Sequence, residues 1–116
     1  AWIIEAREKN TTWRFHGNVP NTIKGGGGRL ITNLPDNACV EVACLVDANG
    51  IQPTRYGALP AHMAGLCASN LAMFDVASQA IIERSKELAI HALMLDPLTA
   101  AVLTPAKIRA MANEMF

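Results

Sequence analysis

The sequence has no excess of charge, since ten basic residues balance ten acidic ones, and it is poor in aromatic residues. Its basic residues are scattered and no aromatic residues interleave with them, so no nucleic-acid partner is expected. No apolar run approaches the roughly 20 residues needed to cross a bilayer, and the first residues are not those of a signal peptide. We therefore predict neither a nucleic-acid nor a membrane partner.

Cysteine is scarce, with three residues and no Cys-x-x-Cys pair. Cys39 and Cys44 lie five positions apart on a predicted strand, which places them on opposite faces and keeps them from sharing a metal ion. Cys67 lies on an apolar helix face and is expected in the core. This usage indicates reduced thiols in a cytoplasmic protein, without a metal site or a nucleophilic cysteine.

Apolar residues are plentiful enough for a folded core. They make up 51 % of 116 residues, which fits one domain over residues 1–116. Residues 1–9 have the apolar spacing of a helix, but no Ser, Thr, Asp or Asn precedes them as a cap. The chain is therefore expected to begin inside a helix, as a fragment would.

A small sheet is predicted in the first half of the chain. Trp13–His16 alternates large apolar and polar residues, and 38–47 is dense in β-branched residues. Asn49-Gly50 is a hairpin signal that leads into a further strand over 51–56. Pro53 places that strand at a sheet edge or a bulge.

Helices are predicted for the second half. Apolar residues recur at helical spacing from Pro60 to residue 82, and the pattern continues over 87–95. Asp96 precedes Pro97 as the cap of a short helix, and Thr104-Pro105 opens a last one. The predicted fold class is α+β, a small, mainly antiparallel sheet packed with several helices.

Four consecutive glycines, Gly25–Gly28, lie between Lys24 and Arg29. A dinucleotide-binding loop needs spaced glycines between a strand and a helix, and the residues that follow here are not a helix start. The run is interpreted as a flexible connection.

Several short motifs follow one another in a fixed order, and together they resemble the C-terminal third of family 4 glycoside hydrolases, most closely the α-galactosidase and α-glucosidase branch. The motifs are Phe15–Asn21, Asn33–Pro35, Val40–Asp47, Gly50–Pro53, Gly57–Pro60 and His91–Leu98. The resemblance covers nearly the whole chain. Residues 23–29 lengthen the link between the first two motifs relative to the family pattern.

The resemblance implies a C-terminal domain similar to that of lactate and malate dehydrogenases, which completes a substrate pocket and forms oligomer interfaces. In the family, NAD oxidises the sugar at C3, a base removes the proton at C2, and manganese stabilises the enediolate. The motifs that bind NAD and metal, and those that act in catalysis, lie upstream of the matched region. The chain alone is therefore expected to bind neither cofactor and to catalyse nothing, and no catalytic, cofactor-binding or metal-binding residue is assigned to it.

Three residues are candidates for substrate binding. Asn18 and Asn21 lie in the predicted loop over 17–21. They could bond sugar hydroxyls or the nicotinamide side of the pocket, or could instead stabilise the turn backbone. His16 precedes them and could face the sugar or a metal, or could be an ordinary packed or solvated residue. His62 and His91 are interpreted as structural.

Glu41 interrupts an apolar strand. Simple alternation would place it in solvent, whereas burial against Arg55 is favoured because its neighbours are so apolar. The apolar stripe on the long predicted helix is mostly interpreted as core, with a partner surface as the alternative. It comprises Met63, Leu66, Cys67, Phe74 and Ile81.

The leading hypothesis is a C-terminal glycosidase domain, inactive alone, that meets its sugar substrate only with the missing domain. A second is a free-standing oligomeric scaffold or binding module without catalysis. A third is that the rest of the enzyme accompanies the chain, so that the full activity applies. Exposed apolar surface would drive self-association to a dimer or tetramer.

Overall fold

The computed structural model describes residues 1–23 and 26–116 and confirms the α+β class. These residues form two compact units, Ala1–Pro60 and Ala61–Phe116. In chain order the elements are α1 (Trp2–Lys9), β1 (Trp13–Pro20), β2 (Cys39–Asp47), β3 (Gly50–Pro53), α2 (Ala61–Glu83), α3 (Lys86–Leu95), α4 (Pro97–Val102) and α5 (Pro105–Met115).

In the first unit, the three strands form one antiparallel sheet in the order β1-β2-β3. The predicted hairpin is confirmed, because Asp47 pairs with Gly50 across a two-residue turn and Gly50 has a φ of 101°. Pro53 lies on edge strand β3, as predicted, where a missing N–H removes no ladder bond from a central strand. The sequence prediction for β1 was too short, since pairing continues to Pro20 opposite Cys39.

The core of the first unit lies under one face of this sheet. Alternate residues of β2 point into it, and α1 lies against β2 with Ala6 buried. The buried β2 residues are Val40, Val42, Cys44 and Val46. The indole rings of Trp2 and Trp13 stack with their centroids 5.3 Å apart.

The connection between β1 and β2 adds Leu30, Ile31 and Leu34 to this core. Ile31 pairs in parallel with Gly57, and the Tyr56 and Gly57 N–H groups donate to the Leu30 carbonyl. Lys24 and the first glycine of the run, Gly25, lie outside the described residues. Gly26–Gly28 and the residues directly after them form neither a helix nor a strand, which is typical of a connecting segment.

In the second unit, the predicted helix boundaries are confirmed to within a residue or two. Ser85 caps α3 by accepting a hydrogen bond from Leu88 N. Asp96 caps α4 by accepting from Thr99 N and Thr99 Oγ1, as its position before a proline predicted. The buried positions of α3 and α5 are Ile90, Ala92, Ile108 and Ala112.

The apolar stripe of α2 is mostly exposed, which corrects its interpretation as core. Leu66 and Phe74 are 70 % and 56 % exposed, and Ile81 is 78 % exposed, while Cys67 is half-buried. Periodicity identifies an apolar face but does not tell what covers it. The helix is also long and apolar enough to cross a membrane by length and composition, so the prediction that no segment reaches this length was wrong.

Candidate functional site

The sheet of the first unit has one face directed away from its core, and polar side chains collect there. We call Arg14, His16, Asn18, Glu41 and Gln52 the open sheet face. The register pairs Asn18 with Glu41, and it pairs Arg14 with Leu45, which in turn pairs with Gln52. Directly paired residues of antiparallel strands point to the same side. All five side chains are exposed.

The sequence of β1 explains why His16 and Asn18 share this face. Residues 15, 17 and 19 point toward the core and are half-buried, so the even positions between them point outward. Gly17 leaves room for its neighbours, since a Cβ there would lie 2.9 Å from Phe15 Cε2 and 3.5 Å from Cys44 Sγ. A side chain at position 17 would therefore crowd the core side of β1, while the polar residues lie on its outer side.

None of the side-chain hydrogen bonds or ion pairs found among residues 1–23 and 26–116 uses a side chain of the open sheet face. Its groups comprise a guanidinium, an imidazole, two amides and a carboxylate. Together they offer both donors and acceptors. That mixture suits a ligand that itself carries several groups able to donate and accept, such as a polyhydroxylated molecule.

Asn21 is 0 % exposed, and its amide is occupied by the loop that follows it. Asn21 Nδ2 donates to the carbonyls of Ile31, Leu34 and Pro35 at 2.9, 3.1 and 2.9 Å. Its Oδ1 accepts from Ile31 N at 2.8 Å, and its backbone N–H donates to Ala38 O. This geometry supports the loop-stabilising alternative over the sugar contact, because no group of the side chain faces solvent.

Glu41 is exposed and pairs across the strands with Asn18, so the prediction of burial against Arg55 was wrong. The Arg55 guanidinium instead donates to the carbonyls of Gly27 and Arg29. Simple alternation was the correct guide, because only one face of this sheet is covered and apolar neighbours on the other side do not bury the glutamate.

The remaining candidates from the sequence lie elsewhere. Cys39 is exposed and Cys44 is buried, which confirms that they point to opposite faces. His62 and His91 lie on α2 and α3, and His91 Nε2 is 3.5 Å from Glu87 Oε1. Neither histidine belongs to the open sheet face.

The described residues do not fit the cofactors that the family resemblance implies. No three His, Cys, Asp or Glu side chains among them lie close enough to hold a metal ion. Gly26–Gly28 is followed by an irregular segment and an isolated pairing at Ile31, so no helix N-terminus is available to a pyrophosphate there. No step through NAD or a metal is therefore assigned to residues of this chain.

The second unit contains a separate apolar concavity of about 750 Å³. Its lining includes Ala80, Ile81, Arg84, Ala92 and Phe116. Most of its lining residues are apolar, so it offers few polar groups to a sugar.

Comparison with known proteins identifies what the chain is similar to. The model of the family 4 glycosyl hydrolase C-terminal domain matches residues 1–99. The alpha-galactosidase of Bacillus subtilis (strain 168) is 41 % identical over 98 % of this chain, which covers 25 % of that protein. The alpha-galactosidase of Rhizobium meliloti (strain 1021) is 34 % identical over 97 % of the chain, which covers 22 % of it. The chain thus spans about a quarter of the length of these relatives.

Solved structures agree with this similarity. A 6-phospho-alpha-glucosidase from gut microorganisms, in complex with NAD and Mn²⁺, superposes with a TM-score of 0.80 at 28 % identity. The match covers 98 % of this chain and 24 % of that one. A second 6-phospho-alpha-glucosidase structure from gut microorganisms, with NAD and glucose-6-phosphate, gives a TM-score of 0.80 at 26 % identity, with the same coverage. The resemblance found in the motifs is confirmed.

Proposed function

This chain belongs to family 4 of the glycosyl hydrolases, and from that membership we propose that it is the C-terminal, substrate-pocket part of an α-galactosidase. The observation that carries the proposal is the match of nearly the whole chain to the C-terminal quarter of two alpha-galactosidases. The structure adds a polar face on which sugar hydroxyls could be bound. The activity of the whole enzyme belongs to the proposal, because the chain covers only a quarter of these relatives.

In this proposal His16 and Asn18 bind hydroxyls of the sugar from the open sheet face. Their support is their exposure, their common side of β1 and hydrogen-bonding groups that no described residue engages. NAD and manganese supply the redox and Lewis-acid chemistry, and both are held by the rest of the enzyme. The chain alone binds and orients but does not turn over a glycoside. Three unpaired cysteines support a cytoplasmic location.

We also propose that the chain self-associates, as a dimer or tetramer, through its second unit. The support is the exposed apolar surface of α2, where Ile81 and Ile82 are 78 % and 80 % exposed. The same surface is also compatible with the alternative function, a free-standing oligomeric scaffold without catalysis. A glycosidase activity that depends on this chain distinguishes the two functions.

A hybrid enzyme tests the glycosidase proposal. This chain would replace the matching C-terminal quarter of the Bacillus subtilis alpha-galactosidase, and hydrolysis of a nitrophenyl α-galactoside would be followed with NAD, Mn²⁺ and a reductant. We expect turnover by the hybrid and none by the chain alone. A hybrid that folds and binds NAD but leaves the galactoside intact would contradict the proposal.

A matched control is the same enzyme truncated before the replaced quarter. It should lack turnover, because the substrate pocket would be open on the side that this chain supplies. If the truncated enzyme were as active as the hybrid, the chain would contribute nothing to the pocket and the scaffold alternative would be favoured.

A further inference from the structure

Glu41 shares the open sheet face with His16 and Asn18 but has no role in the proposed function. It lies on β2, the central strand, directly opposite Asn18 on β1. Cβ atoms of directly opposed residues in an antiparallel pair are about 5 Å apart. The carboxylate and the amide can therefore reach the same small ligand above the sheet.

The charge of Glu41 has no partner among the described residues. The cation on the same face, Arg14, lies four residues along β1 from Asn18, which is roughly 13 Å at the rise of a strand. Glutamate is also depleted in strands, where β-branched residues pack better. Glu41 therefore makes no ion pair with a described residue, which leaves its two acceptor oxygens available to a ligand.

We propose that Glu41 and Asn18 form a carboxylate–amide pair that binds the sugar through its 4- or 6-hydroxyl, the hydroxyls that a reaction at C2 and C3 leaves unchanged, which makes Glu41 a specificity-determining residue. The inference rests on the proposed function. The carboxylate accepts hydrogen bonds from sugar hydroxyls, and the amide both donates and accepts. Bonds to a charged acceptor are the stronger ones, so Glu41 supplies the larger part of the discrimination.

The test uses the hybrid enzyme with Glu41→Ala. We expect KM for the nitrophenyl α-galactoside to rise about tenfold, with kcat changed by less than about twofold, because the lost bonds are made in the bound substrate as well as in the transition state. The 4-deoxy and 6-deoxy galactosides complete a double-mutant cycle, in which one change is made in the protein and the other in the substrate. With the substrate that lacks the hydroxyl bound by Glu41, the variant and the unchanged hybrid should differ by less than about twofold.

Glu8→Ala is the matched control, since Glu8 is an exposed glutamate on α1 that is not part of the open sheet face. It should leave KM unchanged for all three substrates. Glu41→Gln keeps the side-chain volume and removes the charge, so it too should raise KM. It replaces Glu41→Ala in the test if that variant does not fold. Folding of each variant is checked by the circular dichroism of the 116-residue chain.

The possible failures are distinguishable. An active hybrid in which Glu41→Ala or Glu41→Gln leaves KM unchanged would overturn the role of Glu41 and leave the proposed function standing. An equal rise in KM for the parent and both deoxy substrates would assign Glu41 a structural role and overturn the inference as well. A folded hybrid without turnover on any galactoside would overturn the proposed function and the inference together.

Discussion

At Asn21, a single side chain makes four hydrogen bonds to the segment that follows β1. A buried amide that bonds one N–H and three carbonyls substitutes for the regular pairing that an irregular segment lacks. The chemistry of an Asn-rich loop indicated either a sugar contact or a backbone contact. Composition could not decide between them, because the choice depends on whether Leu30, Ile31 and Leu34 fold over the side chain.

Asn21→Ala is expected to reduce the free energy of unfolding by about 3 kcal/mol, because it leaves buried backbone groups without partners. Asn18→Ala is the matched control, since Asn18 is exposed and its side chain makes no hydrogen bond to a described residue. Its effect should stay within about 0.5 kcal/mol. Urea unfolding of both variants measures the difference. Equal effects would show that the buried amide is not a stability determinant.

At the scale of elements, the Asp96 cap and the hairpin were predictable because each depends on a few neighbouring residues. Asp96 before Pro97 and the turn that ends at Gly50 are examples, and both are confirmed. The length of β1 was not predictable in the same way. Gly17 and Pro20 are typical of loops, yet both pair with β2 on an edge strand where the sheet tolerates them.

The cap of α4 should make stability depend on pH. Hydrogen bonds from the Thr99 hydroxyl and backbone hold the pKa of the Asp96 carboxyl below its ordinary value of 3.8. A depressed folded-state pKa means that the stabilisation is fully present above the unfolded-state pKa and is lost as the pH falls through the folded-state value. We expect Asp96→Asn, which still accepts a hydrogen bond but does not titrate, to weaken the acid dependence.

Urea unfolding of both proteins between about pH 5 and pH 2 checks this expectation. The unchanged chain should have a higher free energy of unfolding than Asp96→Asn at about pH 5. This difference should shrink as the pH falls below 3.8, the ordinary pKa of an aspartate carboxyl. The Glu87 carboxylate, whose pKa is lowered chiefly by its hydrogen bonds from Arg109, titrates in both proteins and cancels in the difference. A difference that stayed constant with pH would refute the role of Asp96.

At the scale of the whole molecule, α2 exposes several large apolar side chains, among them Leu66, Phe74 and Ile81. Helical spacing predicted the face, and a face of this kind is ordinarily covered. The sequence gives no information about the covering surface, because the spacing is the same whether it faces its own core, the rest of an enzyme or a second copy. That is why Leu66 and Phe74 were interpreted as core and are exposed instead.

A second copy of the chain could cover the exposed face of α2, and the molecular mass in solution tests this directly. We expect light scattering at micromolar concentrations to give at least twice the monomer mass of 12.4 kDa. Ile82→Glu should shift the population toward monomer, because a charge placed in an apolar interface loses its hydration without gaining a partner. Asn113→Glu on α5 adds the same charge at another exposed position and should leave the mass unchanged. A monomer mass for the unchanged chain would mean that α2 does not hold two copies together and would leave the rest of the enzyme as the surface that covers it.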